Sequence, residues 1–267
     1  MTTKTYIMLI TFLFCLSYSF AQTNPPLNTD IIKLTDSNFV TVRGEINGQL
    51  ASTVITELME VEDNTIYVYL STPGGSIIDG MKIIQTLSAL ERSGKTIVCL
   101  ADVALSMGFV ILQYCPERII MQSSVVMQHQ SSLQVHGPLN NINSYMSIIH
   151  SIGDDIDEHQ ANRLELKVDD FRNKVNNDWW LFGSNILKNK VADRLAWITC
   201  DFDTTVTETK IYTFFGPVTL YFSKCPLASE PLKVVFDDNF PMEEREEVLQ
   251  KYSINKILED KFGIKRV

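Results

Sequence analysis

One serine in this chain occupies a position from which its hydroxyl could act as a nucleophile. Ser106 follows an apolar stretch typical of a strand and precedes Met107-Gly108, where a helix is predicted to begin. A helix N-terminus offers unpaired N–H groups and the positive end of its dipole, and both favour a developing negative charge. Ser106 could therefore attack a carbonyl carbon while the next backbone N–H holds the oxyanion, although a serine at a helix start is more commonly a plain N-cap.

A glycine-rich turn could complete the same oxyanion site. Gly74-Gly75 ends another predicted strand and opens another helix. Glycine allows backbone angles and a close substrate approach that other residues do not, so an N–H of this turn is a candidate second donor. A Pro-Gly-Gly sequence alone is usually only a turn. It is the presence of both motifs that favours acyl-transfer chemistry.

Three motifs, taken in order, resemble those of the Clp protease proteolytic subunit. They are Ser71-Thr72-Pro73-Gly74-Gly75-Ser76-Ile77, Ala104-Leu105-Ser106-Met107-Gly108 and Val126-Met127-Gln128-His129-Gln130. The resemblance extends from about Phe39 to Ile198. It implies a serine peptidase with Ser106 as nucleophile and His129 as general base. Asp178, which follows the long helix and precedes aromatic residues, matches the third member of the family's triad.

The resemblance also implies the supporting roles. In the family, the second glycine of the turn and the residue after the nucleophile donate to the oxyanion, which correspond to Gly75 and Met107 here. His129 would take the hydroxyl proton and return it to the leaving amine. Asp178 would fix the tautomer of the imidazole and stabilise its positive form.

Alternatives remain for the base and for the acid. His136 lies in the loop after His129 and is its near rival. Asp169 and Asp170 compete with Asp178, although their spacing is typical of an exposed helix face. Two further histidines fall on the long helix and are predicted to face solvent, namely His150 and His159.

Hydrophobic periodicity predicts the elements that must position these residues. In chain order they are strand 39–42, helix 50–61, strand 66–70, helix 77–90, strand 96–100, helix 107–114, strands 118–121 and 125–128, and helices 141–166 and 169–175. This order implies right-handed βαβ crossovers and a mainly parallel sheet, whose reactive groups gather at the C-terminal ends of the strands. The resemblance specifies the fold class further, as an α/β fold of the Clp protease and crotonase type, with stacked βαβ units and a helical handle at 141–175.

The chain ends differ from this central region. Lys4, an apolar run and small residues before a cut after Ala21 predict a signal peptide at 1–21, with an uncleaved membrane anchor as the lesser alternative. The predicted divisions are the signal peptide at 1–21, a flexible lead-in at 22–36, the peptidase domain at 37–199 and a C-terminal extension at 200–267. In the extension we expect strands at 210–215, 218–222 and 232–236, and amphipathic helices within 242–262.

The predicted export of the chain determines what is expected of its cysteines. Disulfides persist in oxidising compartments, and Cys200 and Cys225 bracket a predicted hairpin, so we expect them to pair. Cys99 and Cys115 lie in apolar segments and are predicted to be small, unpaired core residues. No pair has the short spacing of a zinc site, so neither a metal nor another cofactor is expected.

The net charge and the resemblance together define the expected partners. A formal charge of −9 argues against binding to nucleic acid. The resemblance implies peptide or unfolded-protein substrates and a homo-oligomeric ring, whereas export makes a Clp-type ATPase partner doubtful. Peptide hydrolysis would then be independent of ATP. A crotonase-like acyl-CoA enzyme and a catalytically silent oligomeric scaffold remain alternatives.

Overall fold

A computed structural model of the chain describes residues 30–132, 136–201, 206–228 and 230–251. Its strands are β1 (Ile31–Leu34), β2 (Phe39–Arg43), β3 (Thr65–Thr72), β4 (Thr96–Leu105), β5 (Glu117–Gln128), β6 (Trp179–Phe182), β7 (Arg194–Leu195), β8 (Trp197–Cys200), β9 (Val206–Thr213), β10 (Gly216–Ser223) and β11 (Lys233–Phe236). Its helices are α1 (Gly48–Glu60), α2 (Ile77–Arg92), α3 (Met107–Tyr114), α4 (Leu139–Arg163), α5 (Val168–Val175), α6 (Ser184–Lys188) and α7 (Met242–Lys251).

The central sheet has the strand order β2-β3-β4-β5-β6, and β7 also pairs with β5. Strands β2 to β5 run parallel, with helices α1, α2 and α3 in the connections, whereas β6 is antiparallel to β5. The predicted α/β fold class is therefore confirmed. Parallel order brings the C-terminal ends of β3, β4 and β5 to one edge, which is where the sequence places the candidate site residues.

Helix α1 shows why the helices cover this sheet. Ala51, Val54 and Leu58 recur at helical spacing, and all three are fully buried. Asn47 precedes the helix, and its side chain accepts hydrogen bonds from two N–H groups of the first turn. Burying a valine or leucine side chain contributes about 1.5–3 kcal/mol, so this short apolar stripe is enough to hold the helix on the sheet.

The predicted flexible lead-in at 22–36 is wrong for its last part. Ile31–Leu34 form β1, which pairs in parallel with β8, while residues 22–29 lie outside the described part. Ile32 and Leu34 are buried and alternate with exposed residues. This alternation is that of a half-buried strand, and its partner is far away in the sequence. The predicted signal peptide at 1–21 also lies outside the described residues.

Strand β5 is continuous where two short strands were predicted. The polar run from Gln122 to Ser124 separates the two apolar stretches in the sequence. In the structure, the buried Ser124 hydroxyl donates to the carbonyl of Ala101 in β4, next to a shift in the β4–β5 register. The hydroxyl is thus satisfied inside the sheet and does not end the strand.

The C-terminal extension forms an antiparallel sheet of β9, β10 and β11. Val218, Leu220 and Phe240 form its small core. The guanidinium of Arg43 donates to the Pro226 carbonyl at 2.7 Å and links β2 to this extension. Of the helices predicted within 242–262, α7 is seen and residues 252–267 lie outside the described part. Among the described residues, no helix has both the length and the apolar character of a membrane span.

Candidate active site

Ser106 occupies a strained turn between β4 and α3. Its backbone has φ 54° and ψ −118°, a combination that residues other than glycine rarely adopt. The Ser106 N–H donates to the Met127 carbonyl at 2.8 Å, and residues 107–113 are all buried, so the surrounding core holds the turn in place. The Ser106 hydroxyl makes no capping hydrogen bond. Ser106 therefore occupies the N-cap position of α3, but its hydroxyl does not cap the helix.

The glycine turn after β3 packs directly against this junction. A Cβ added to Gly74 would lie 2.5 Å from the carbonyl oxygen of Leu105 and 2.7 Å from the Cβ of Ser106. Gly74 also has φ +84°, which a side chain rarely tolerates. Glycine is required here because the two turns approach each other without room for a side chain.

Two backbone N–H groups near Ser106 lack a backbone acceptor among the described residues. Ile46 pairs with the glycine turn through two backbone hydrogen bonds. Its N–H donates to the Gly74 carbonyl at 2.9 Å, and its carbonyl accepts the N–H of Ser76 at 2.8 Å. The N–H of Gly75 between them has no acceptor among the described residues. The N–H of Met107 lies in the first turn of α3, where helix geometry offers no partner.

The strand register brings His129 and Asp178 close together. Strand β5 ends at Gln128, strand β6 begins at Trp179, and these two residues are paired in the antiparallel ladder. His129 follows the first and Asp178 precedes the second, so the two would face each other if the register continued one step beyond the observed ladder. Paired Cα atoms in antiparallel strands lie about 4.5–5.5 Å apart, which is a distance that an imidazole and a carboxylate can bridge.

A cavity of about 70 Å³ connects most of the predicted site residues. Gly75, Ser106, Met107 and His129 all line it. Asp178 is exposed, is not among the lining residues and has no hydrogen bond to any described residue. The structure thus brings together four of the five predicted site residues and leaves the carboxylate outside the cavity.

Five polar residues that line this cavity were not predicted as site residues, namely Gln128, Ser131, Ser132, Asp157 and Gln160. Gln128 and Gln160 are 5% and 1% exposed, and Asp157 pairs with Arg172 at 2.9 Å. One sign of such a residue was available in the sequence: the polar Gln128 directly follows an apolar segment of β5. Within the described ranges, no group of three or more His, Cys, Asp and Glu side chains could hold a metal ion.

The rival residues lie elsewhere. His136 is exposed and does not line the cavity. Asp169 and Asp170 are exposed in the first turn of α5, where a carboxylate stabilises the helix dipole.

His159 is half-buried, so the prediction that it faces solvent is wrong. Its ring stacks on Tyr114 with centroids 3.6 Å apart, and its Nε2–H donates to the Gln113 carbonyl at 3.1 Å. Burial lowers the pKa of His159 below its usual value; the hydrogen bond to the Gln113 carbonyl partly offsets this effect, and the charge of Arg163 adds to it. His150 is exposed, as predicted. His159 thus supports the end of α3 as a neutral ring and lies outside the cavity.

Both cysteine pairs are at disulfide distance. The Cα atoms of Cys200 and Cys225 are 5.8 Å apart, and their sulfurs are bonded. Cys99 and Cys115 are also bonded, with Cα atoms 6.0 Å apart, so the prediction that they are unpaired is wrong although both are buried. Helix α3 folds back along β4 and brings its C-terminal end to the start of that strand. The resulting covalent loop contains Ser106, and two disulfides suit an oxidising compartment.

Comparison with known proteins points to one family. The family model described as Clp protease matches residues 25–196. The ATP-dependent Clp protease proteolytic subunit of Borreliella afzelii is 29% identical over 169 residues, which cover 61% of this chain and 85% of the relative. Subunit 1 from Borreliella burgdorferi is also 29% identical over 169 residues and is covered to 86%. The corresponding subunit of Streptococcus agalactiae is 30% identical over 104 residues, or 37% of this chain and 52% of the relative.

Proposed function

We propose that this chain, which belongs to the Clp protease family, is a serine endopeptidase whose nucleophile is Ser106. The observation that carries this proposal is the strained turn at Ser106, which shares a cavity with His129. Family membership supports serine peptidase activity in general. The assignment of the individual residues is our proposal and rests on the geometry described above.

The proposed reaction proceeds through an acyl-enzyme. The Ser106 oxygen forms a bond to the carbonyl carbon of the substrate while its proton passes to His129. The N–H groups of Gly75 and Met107 hold the oxyanion of the tetrahedral intermediate. The C–N bond then breaks, and the leaving amine takes the proton from His129. Water attacks the acyl-enzyme in the same way, which releases the carboxylic acid and restores the serine hydroxyl.

Asp178 would orient His129 for both steps. The strand register supports this role because Asp178 directly precedes β6 and His129 directly follows β5, beyond the last pair of the ladder, Gln128 and Trp179. A carboxylate that accepts the second ring N–H fixes the tautomer and stabilises the imidazolium. Asp178 is exposed, so its electrostatic contribution is screened by solvent, and orientation is its main contribution.

We also propose that the protein acts outside the cytosol and does not require ATP. The two disulfides support an oxidising compartment, where a cytosolic ATPase is absent. Family members form oligomeric rings that act on peptides, and a ring is proposed here as well. The first half of α4 supports it, since Leu139, Tyr145 and Ile148 expose 71%, 45% and 58% of their surface.

An activity probe tests the nucleophile directly. The purified protein, kept under non-reducing conditions, is treated with a fluorophosphonate, which forms a bond to an activated serine oxygen. We expect labelling of the wild type, none in Ser106→Ala, and strongly slowed labelling in His129→Ala. Ser123→Ala is the matched control, because Ser123 is exposed on β5 and does not line the cavity, so its loss should leave labelling intact. Labelling that persists in Ser106→Ala contradicts the proposal.

Peptide hydrolysis without nucleotide tests the second part. A fluorogenic peptide should be cleaved at the same rate with and without ATP, and Ser106→Ala should be inactive. Hydrolysis that requires an added ATPase would contradict independence from ATP and leave the nucleophile assignment unaffected.

A further inference from the structure

The cavity beside Ser106 has an unusual inner wall. Gln128 and Gln160 are almost completely buried there, at 5% and 1% exposure. The Nε2 of Gln128 donates to the Oε1 of Gln160 at 2.5 Å, which joins β5 to α4. Buried carboxamides are uncommon, and here they add to a cavity whose other walls are partly polar, as at Ser131 and Asp157, and partly apolar, as at Ile77, Val110 and Ile156.

The two carboxamides keep unused hydrogen-bonding capacity. Each has two N–H donors and an oxygen with two lone pairs. In Gln128 one donor reaches Gln160, and the oxygen accepts the backbone N–H of His129 at 3.2 Å. In Gln160 one donor reaches the Ile156 carbonyl at 3.3 Å. Each carboxamide therefore has one N–H without an acceptor among the described residues, and such buried groups are normally satisfied.

The size of the cavity limits what can satisfy them. Its volume is about 70 Å³. On this measure one water needs about 10–15 Å³, so the space holds several waters. A short side chain fits, whereas a large aromatic one would require the walls to move. Its position next to Ser106 suits a pocket for the side chain on the acyl side of the cleaved bond.

We propose that Gln128 and Gln160 make this pocket selective for a short side chain that carries an amide, such as asparagine, over an apolar one of the same shape. The proposal rests on the proposed peptidase function. An asparagine oxygen would accept the unused N–H groups, whereas a leucine side chain would bury them without partners. A site built to hydrogen-bond its substrate rejects the analogue that lacks the polar atom, and we expect a discrimination of about 10- to 100-fold here.

Two substrates that differ in one residue test the proposal. They are fluorogenic peptides with asparagine or leucine immediately before the reporter group, since these side chains have nearly the same shape. For the wild type, kcat/KM should be at least about 10-fold higher with asparagine. A wild type that prefers leucine, or that does not distinguish the two, overturns the proposal without any variant.

A paired substitution tests whether the glutamines are responsible. Gln128→Met with Gln160→Met keeps the side chains of similar length and removes the donors, so the preference should reverse towards leucine. Gln122→Met is the control, because Gln122 is exposed on the same strand β5 and does not line the cavity. It should keep the preference of the wild type. A double variant that unfolds at the same urea concentration but still prefers asparagine overturns the assignment.

The fluorophosphonate reaction separates this proposal from the one on which it rests. A wild type that is labelled at Ser106 and prefers leucine contradicts only the selectivity. A wild type that is not labelled contradicts the peptidase function, and in that case binding of the two peptides to the unreacted protein decides the selectivity. Equal dissociation constants would then reject it.

Discussion

Replacement of Gly74 by alanine tests whether the glycine turn sets the position of the nucleophile. The added Cβ would lie 2.5 Å from Leu105 O, 2.7 Å from Ser106 Cβ and 2.8 Å from Met107 N. Ordinary van der Waals contact begins at 3.4 Å, so the shortfall is 0.9 Å at Leu105 O and 0.6 Å at Met107 N. These two atoms belong to a buried backbone and cannot swing aside as a flexible side chain would.

Both stability and activity should fall in Gly74→Ala. The backbone has φ +84°, which costs a residue with a side chain about 1–2 kcal/mol. Overpacking adds about 1–3 kcal/mol, so the free energy of unfolding should fall by about 2–5 kcal/mol if the junction stays in place. If Ser106 moves instead, by the 0.6–0.9 Å shortfall, kcat/KM should fall by about 10²-fold, because a 1 Å misplacement can have that effect.

Gly44→Ala is a matched control for the backbone cost. Gly44 has the same φ of +84°, but a Cβ there would meet no atom within 4 Å. We expect this variant to lose about 1–2 kcal/mol in urea unfolding and to keep its kcat/KM on a fluorogenic peptide. The reasoning is refuted if Gly74→Ala is as active and as stable as Gly44→Ala, since contact with the Ser106 turn would then have no effect.

Three further substitutions test other features of the molecule. Asp178→Asn should lower kcat by about 10²–10⁴-fold with little change in KM, measured with the same peptide, because the His129 tautomer is no longer fixed; an unchanged kcat would remove Asp178 from the triad. Joint replacement of Cys200 and Cys225 by serine should destabilise the C-terminal extension by about 3 kcal/mol, since the disulfide spans 25 residues, and limited proteolysis should cut the extension first; equal resistance to protease would contradict this. The lowered pKa of His159 predicts that wild-type stability falls as the pH drops below about 6.5, because the unfolded chain then binds the proton more tightly. His159→Gln should lack this loss of stability when urea unfolding is measured between pH 5 and 8. A variant with the same pH dependence as the wild type would contradict the prediction.

The main elements were predictable because each carries a local pattern. The start of helix α3 at Met107 was predicted, since the serine, glycine and apolar residues that begin it lie next to each other in the sequence. The parallel order of the sheet followed from the alternation of strands and helices. The proximity of Ser106 and His129 could be expected because both residues follow adjacent parallel strands.

Features that depend on distant contacts were not predictable. His159 lies on a mostly polar helix, and only the position of Tyr114 shows that its ring is covered. Cys99 and Cys115 have apolar neighbours that suit a buried thiol as well as a buried disulfide, and the return of α3 along β4 decides between them. Gln160 appears in the sequence as one of many polar residues of α4, and its burial depends on the approach of β5.

The pairing of β1 with β8 has a consequence for how the protein is made. Ile31, near the start of the described residues, lies beside Trp197, the first residue of β8. A parallel ladder between such distant segments cannot form until the second one is available, and closing so long a loop is slow. During synthesis, or passage through a translocation channel, the first strand must therefore wait with its apolar side chains uncovered. Nascent chains stalled before Trp197 should accordingly be targets for chaperones.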